Sequence, residues 1–126
     1  MNEFNSYIGL KQINVIGNLI EKQRNNAKIW NKIISNKYAG HISSIKLNKD
    51  SSPNYWVYGI FSDTKIQTIK MFRKMGFYAT SVHINNNIYS IFKNNSELKG
   101  VSEFQNKFIA IPSGWWLDSN LIFEKN

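Results

Sequence analysis

Two kinds of side chain in this sequence have the reactivity that sites use most often: fourteen lysines and two histidines. A lysine amine forms an imine with a carbonyl only when partial desolvation lowers its pKa. Each lysine here falls on a polar helix face or in a loop, so all are expected to be solvated. His41 has no partner within motif distance and is expected at the surface. His83 closes an apolar stretch just before Asn85-Asn86-Asn87, where a histidine can hydrogen-bond to backbone. Two isolated histidines do not make a zinc site, and Glu103, Asp118 and the other acids show no metal spacing. Cysteine is absent, which removes disulfides, thiolate metal sites and a cysteine nucleophile. No Gly-rich phosphate loop or nucleophile motif occurs.

The chain has 126 residues, enough for one domain with a modest core. Aromatic residues make up 14%, burial material that a disordered chain lacks. The formal charge of +8 comes almost entirely from Lys. It leaves two readings: a polyanionic partner (nucleic acid, an anionic membrane surface or a phosphorylated metabolite), or a Lys- and Asn-rich proteome. The lysines are scattered, so no electrostatic footprint is localised. No apolar run approaches membrane-spanning length, and no signal-peptide h-region is present. Both absences, with the lack of cysteine, fit a cytoplasmic setting.

The elements that would position these groups follow from periodicity. Ile13, Ile16, Ile20, Ala27, Trp30 and Ile34 fall on one stripe and predict a helix from about Glu3 to about Asn36. Gln23 interrupts the stripe, and Gly17 weakens the helix by roughly 1 kcal/mol relative to Ala. Ala39-Gly40 is a stop signal. Ile42 to Leu47 is a weak strand, and Lys49 to Asn54 is a loop. Tyr55 to Phe61 is the best strand, apolar on both faces and so buried in a sheet interior. Asp63 or Thr64 caps a helix carrying Ile66, Ile69, Met71, Phe72 and Met75, which Gly76 ends. Phe77 to Ile84 is a second strand, Asn85 to Asn87 a turn, and Ile88 to Lys93 a short helix. Ser102 caps a helix around Glu103 to Asn106. Phe108 to Ile111 is a strand ended by Pro112, and Asp118 caps a last helix from Ser119. Tyr55, Trp56 and Tyr58 are expected to pack in the core. One of Trp115 and Trp116 is expected in the core and the other over a domain interface.

Four blocks in this order carry a resemblance. Met1-Asn2-Glu3-Phe4 through Gly9-Leu10-Lys11-Gln12-Ile13 opens the long helix. Asn54-Tyr55-Trp56-Val57-Tyr58 follows, then Gly76 through His83-Ile84, then Phe108-Ile109-Ala110-Ile111-Pro112 with Leu117-Asp118. Together they resemble the small C-terminal domain of DegT/DnrJ/StrS-type sugar aminotransferases, over nearly the whole chain. The resemblance implies an α/β (α+β) fold of aspartate-aminotransferase type I: a long N-terminal helix plus a small sheet covered by helices. It implies one domain over 1–126, with a connecting helix at 1–38 and a small αβ domain at 42–126. The large domain that binds pyridoxal phosphate would lie before the block containing Met1. That domain supplies the Schiff-base lysine, the aspartate on the pyridinium nitrogen and the phosphate cradle.

The resemblance further implies that His83, with Asn85 and Tyr89, forms a wall of a sugar-nucleotide pocket. Ile84 stands where the family usually has Tyr, and the family's second His is missing. No catalytic residue and no cofactor contact is expected within this chain; pyridoxal phosphate belongs to the full-length family. The implied partners are a large domain of the same enzyme or a homodimer partner, with a nucleotide-sugar substrate in the complete enzyme. Two other functions compete. One is an interaction domain dimerising through the first helix. The other is a nucleic-acid-binding module, against which stand the scarcity of Arg, the lack of an RNP-like motif and aromatics placed among apolar residues.

Overall fold

The computed structural model describes residues 2–92 and 98–125. It opens with a 35-residue helix, α1 (Glu3–Lys37), followed by β1 (Ile42–Ser44), β2 (Val57–Ser62) and α2 (Lys65–Lys74). Two short 3₁₀ turns, Asn86–Ile88 and Ser90–Phe92, lead towards α3 (Lys99–Lys107), β3 (Phe108–Pro112) and α4 (Ser119–Glu124). The sheet is three-stranded and antiparallel in the order β1-β2-β3. Ile42 pairs with Ser62, and Tyr58 with Ile111. The α+β architecture of a long helix and a small helix-covered sheet agrees with the sequence reading.

The two ends of α1 behave differently. Asn2 caps the helix, its Oδ1 accepting from Asn5 N at 2.9 Å. Every residue from Glu3 to Asn18 is exposed, Ile13 and Ile16 included. Burial begins at Gln23 and continues through Asn26, Ala27, Trp30 and Ile34, a spacing of three and four that keeps one stripe on the sheet. Gln23 therefore belongs to the buried stripe and does not interrupt it: its Nε2 donates to Asn54 O at 2.8 Å. Arg24 beside it donates to the carbonyls of Pro53 and Ser52. These bonds tie the 52–54 loop to the helix. After the helix, Gly40 takes a φ of +84°, and Ile42 N returns to Tyr38 O at 3.0 Å.

Trp30 is the centre of the core and is 0% exposed. Its ring meets Phe77 edge-on at 5.0 Å and Phe72 at 5.8 Å, and its Nε1 donates to Pro112 O at 2.9 Å. Tyr58, Ile60, Ile109, Ile111 and Ile122 complete the cluster, so α2 and α4 pack on the same side as α1. The other face of the sheet is covered by α3, through rings of Phe61, Phe104 and Phe108. β2 is central and apolar on both faces, as expected, with Tyr58, Ile60 and Ser62 the fully buried set.

Several expectations are corrected. β2 begins at Val57 because Tyr55 holds a φ of +55°, which turns the chain before the ladder starts. Trp56 consequently points away from the core and is 56% exposed. β1 stops at Ser44, leaving Ile45 and Leu47 exposed. Phe77 to Ile84 is not a strand: only Thr80 pairs, with Ala110. Three-residue turns, from Ala79 N to Phe77 O and from His83 N to Ser81 O, contract the segment. Val82 sits at a φ of +56°, unusual for a β-branched residue and incompatible with an extended path. Thr64 occupies the N-cap position of α2 without a side-chain cap bond; Ser62 Oγ accepts from Thr64 N instead. α3 starts at Lys99, and Ser102 closes its first turn by donating its amide to Leu98 O. The expected helix over 88–93 is a 3₁₀ turn as far as Phe92, with Lys93 outside the described residues. Asp118 caps α4 as expected, accepting from Asn120 N at 2.9 Å.

Tyr58 supplies a prediction. Its hydroxyl donates to Asn31 Oδ1 at 2.5 Å and lies 2.6 Å from Ser44 Oγ, linking α1, β1 and β2. Burial raises its pKa above the usual 10.0, outweighing the Ser44 bond that lowers it. The folded chain thus holds this proton more tightly than the unfolded chain. Stability is complete below about pH 10 and declines as pH rises beyond it. Tyr58→Phe is expected to cost about 1–2 kcal/mol in urea unfolding at neutral pH and to flatten that alkaline decline.

Candidate functional site

The segment that carries His83, Asn85 and Tyr89 leaves the sheet after Thr80. Arg73 anchors its beginning, with Nε donating to Ala79 O at 2.9 Å and the guanidinium 5.1 Å from the Tyr78 ring. The contracted turn at Val82 then lifts His83 outwards. Its imidazole is exposed and has no hydrogen bond among the described residues; only its backbone amide is bonded. Asn85 and Tyr89 frame the first 3₁₀ turn, Asn85 O accepting from Ile88 N at 3.3 Å and Tyr89 N donating to Asn86 O at 3.1 Å. The three residues share one exposed ribbon, with Asn85 half-buried. They do not line either of the two clefts described next. Ile84, Ile88, Ile91 and Phe92 on the same ribbon are exposed apolar side chains.

The larger cleft, about 520 Å³, lies between α3 and the paired ends of β1 and β2. Phe61 and Phe104 line its apolar part, with His41, Asp63, Glu103 and Lys107 on the polar side. Lys107 Nζ sits 3.0 Å from Asp63 Oδ1 and 3.4 Å from Glu103 Oε1. The hydrogen bond and charge of Asp63, then those of Glu103, raise its pKa. The ammonium is thereby held charged, which suits a clasp between α3 and the β2–α2 junction and not a nucleophile.

The smaller cleft, about 310 Å³, lies between α1 and the loop after β3. Asn26 builds it. This helix residue is 3% exposed, and its Nδ2 faces the carbonyl oxygens of Gly114 and Leu117 at 3.1 Å each, with Ser113 O at 3.4 Å. Ser113 is buried and its Oγ donates to Tyr55 O at 2.5 Å. The Trp116 ring lies over Gly114, where an added Cβ would push the indole aside. On this fixed loop Trp115 is 48% and Trp116 63% exposed. Neither is a core residue, which corrects the sequence expectation. Asn26 was not singled out in the sequence, although it continues the three-and-four spacing of the buried stripe.

Among the described residues no group of three or more acidic, His or Cys side chains is placed to hold a metal. None of the helices there is long and apolar enough to cross a membrane. Lys65 is the lysine whose pKa burial lowers, but its ammonium is turned onto the Gln105 carbonyl, outside both clefts.

No protein-family model matches the sequence, and no curated protein matches it. Solved structures do match. The sugar aminotransferase CalS13 from Micromonospora echinospora superposes with a TM-score of 0.87 at 21% identity, over 99% of this chain and 34% of its own. PseC of Helicobacter pylori, an aminotransferase involved in the biosynthesis of pseudoaminic acid, gives 0.75 at 22% identity, over 99% and 37%. A DegT DnrJ EryC1 StrS aminotransferase from Brucella abortus gives 0.76 at 11% identity, over 92% and 31%. The chain spans about a third of the length of the structures it matches. Its fold, long helix and small sheet together, is that of a part of the DegT/DnrJ/StrS-type sugar aminotransferases.

Proposed function

We propose that this chain is the C-terminal part of a nucleotide-sugar aminotransferase, forming one wall over the sugar while a separate large domain performs the amino transfer. The observation that carries this reading is the match over 99% of the chain but 34% of CalS13. Two exposed apolar surfaces support it. The first half of α1 bears Phe4, Tyr7, Leu10, Ile13 and Ile16, and the 84–92 ribbon bears Ile88, Ile91 and Phe92, all uncovered. A large domain of the same enzyme or a homodimer partner would bury them.

Pyridoxal phosphate supplies electron withdrawal from an amine it has bound, and it needs a lysine free to form an imine. The described residues do not fit it. Lys107 is held charged by two carboxylates and Lys65 is committed to a carbonyl, so neither offers a free amine. The part left to this chain is binding. His83, Asn85 and Tyr89 offer an imidazole, an amide and a phenol to the hydroxyl or phosphate groups of the substrate.

The test is to combine this chain with a large domain of the same enzyme, joined to it or added separately, and to assay amino transfer from glutamate to a keto-sugar nucleotide. Transfer by the pair and by neither part alone is expected, with KM raised roughly tenfold by His83→Ala, equivalent to one hydrogen bond. Failure of this chain to associate with such a domain, or no transfer by the pair, would end the proposal. A second reading, a stand-alone dimerising domain, is favoured by the uncovered face of α1. A stable homodimer in light scattering, from a chain that also fails to pair with any large domain, supports the second.

A further inference from the structure

We infer that the cleft between α1 and the loop after β3 is a binding site for a neutral saccharide ring. This inference goes beyond the amino-transfer reading and does not rest on it, because neither His83 nor the 84–92 ribbon takes part in this cleft.

The loop is built to hold two indoles in the open. Asn26 grips its carbonyls from the helix, Ser113 ties it to Tyr55, and Trp30 Nε1 holds Pro112 O where the loop leaves the sheet. The Trp116 ring lies over Gly114, whose lack of a side chain leaves it room. The backbone under both rings is therefore fixed while the rings stay half or more exposed. Their centroids are 5.9 Å apart and their planes meet at 83°, forming a corner and not a slot.

A corner of this kind selects for shape. The negative face of an indole attracts the slightly positive C–H bonds of a puckered sugar ring, and two rings at right angles can contact two sides of it. A flat nucleobase would stack on one indole and leave the other unused. The rim supplies the polar half of the match, with Lys22 and Asn25 from α1 and Asp118 from the loop. Lys22 and Asp118 bring charges of opposite sign to the rim, and with the Asn25 amide they suit hydroxyl groups, which both donate and accept. The volume, about 310 Å³, is at the lower end of small-molecule pockets (~300–1,000 Å³), room for a ring or two.

The experiment is a titration of the whole chain, followed by tryptophan fluorescence and saturation-transfer NMR. The probes are methyl glucoside and N-acetylglucosamine, with uridine and inorganic phosphate as comparisons. Saturable binding of a saccharide is expected, weakened roughly tenfold or more by Trp116→Ala and by Lys22→Ala together with Asn25→Ala. Trp56→Ala, an exposed indole outside the cleft, should leave it unchanged. Circular dichroism checks that each variant is folded. Binding of uridine or phosphate alone, or saccharide binding indifferent to Trp116, would overturn the assignment. So would burial of both indoles by self-association. None of these outcomes depends on whether a large domain is found.

Discussion

Replacing Trp30 by alanine is expected to remove most or all of the stability of the fold. Trp30 is fully buried and touches two elements and the segment between them: Phe72 on α2, Phe77 after it, and Pro112 at the end of β3. Truncating a buried Trp costs about 3–5 kcal/mol, because the neighbours cannot collapse fully into the space. Here the Pro112 carbonyl also loses its donor. Typical domains hold only about 5–15 kcal/mol in total, so the variant should unfold at low urea or be largely unfolded in buffer. Trp56→Ala makes the comparison, since its exposed ring should be worth within about 0.5 kcal/mol. A Trp30→Ala midpoint close to that of Trp56→Ala would show that the core is organised elsewhere.

The second large effect is expected at Asn26. Asn26→Asp keeps the shape and exchanges an N–H₂ facing three carbonyl oxygens for a carboxylate oxygen facing the same three. Every favourable dipole becomes unfavourable, and the new charge sits where the side chain is almost fully buried. Uncompensated buried charge of this kind costs on the order of 3–5 kcal/mol. The sign of the pH dependence follows. The folded state disfavours the charged form, so the carboxyl pKa is raised above its unfolded value of about 3.9. The folded state then binds the proton more tightly, and stability falls as pH rises through that window. The variant should therefore gain stability between about pH 7 and pH 4 relative to the unsubstituted chain. Urea unfolding at the two pH values checks this, and a loss independent of pH would argue against the carbonyl cradle.

The long helix was legible because its apolar spacing runs from Ile13 to Ile34, broken only at Gln23. Which half would be buried was not, since Ile16 and Ile34 are equivalent in pattern and differ only in whether the sheet lies beneath them. β2 was legible from its aromatic and branched residues. The residues at 77–84 carried the same signal and failed, because propensity does not register a tight turn at Val82 or a neighbour that accepts only one bridge. The two tryptophans were read by their hydrophobicity, whereas the bonds from Asn26 and Ser113 decide how the loop presents them. The role of His83, Asn85 and Tyr89 came from resemblance. Their own spacing shows only a turn, and the structure places them on a ribbon outside both clefts.

The unequal burial of α1 has a thermal consequence. Short isolated helices are marginal in water because the first turn is costly to start, while each later residue adds a bond cheaply. In this chain the costly start is made by the half clamped through Trp30, and the stretch from Glu3 to Asn18 only extends it. Warming should loosen the exposed stretch from Glu3 to Asn18 before the half clamped through Trp30, well before the sheet melts.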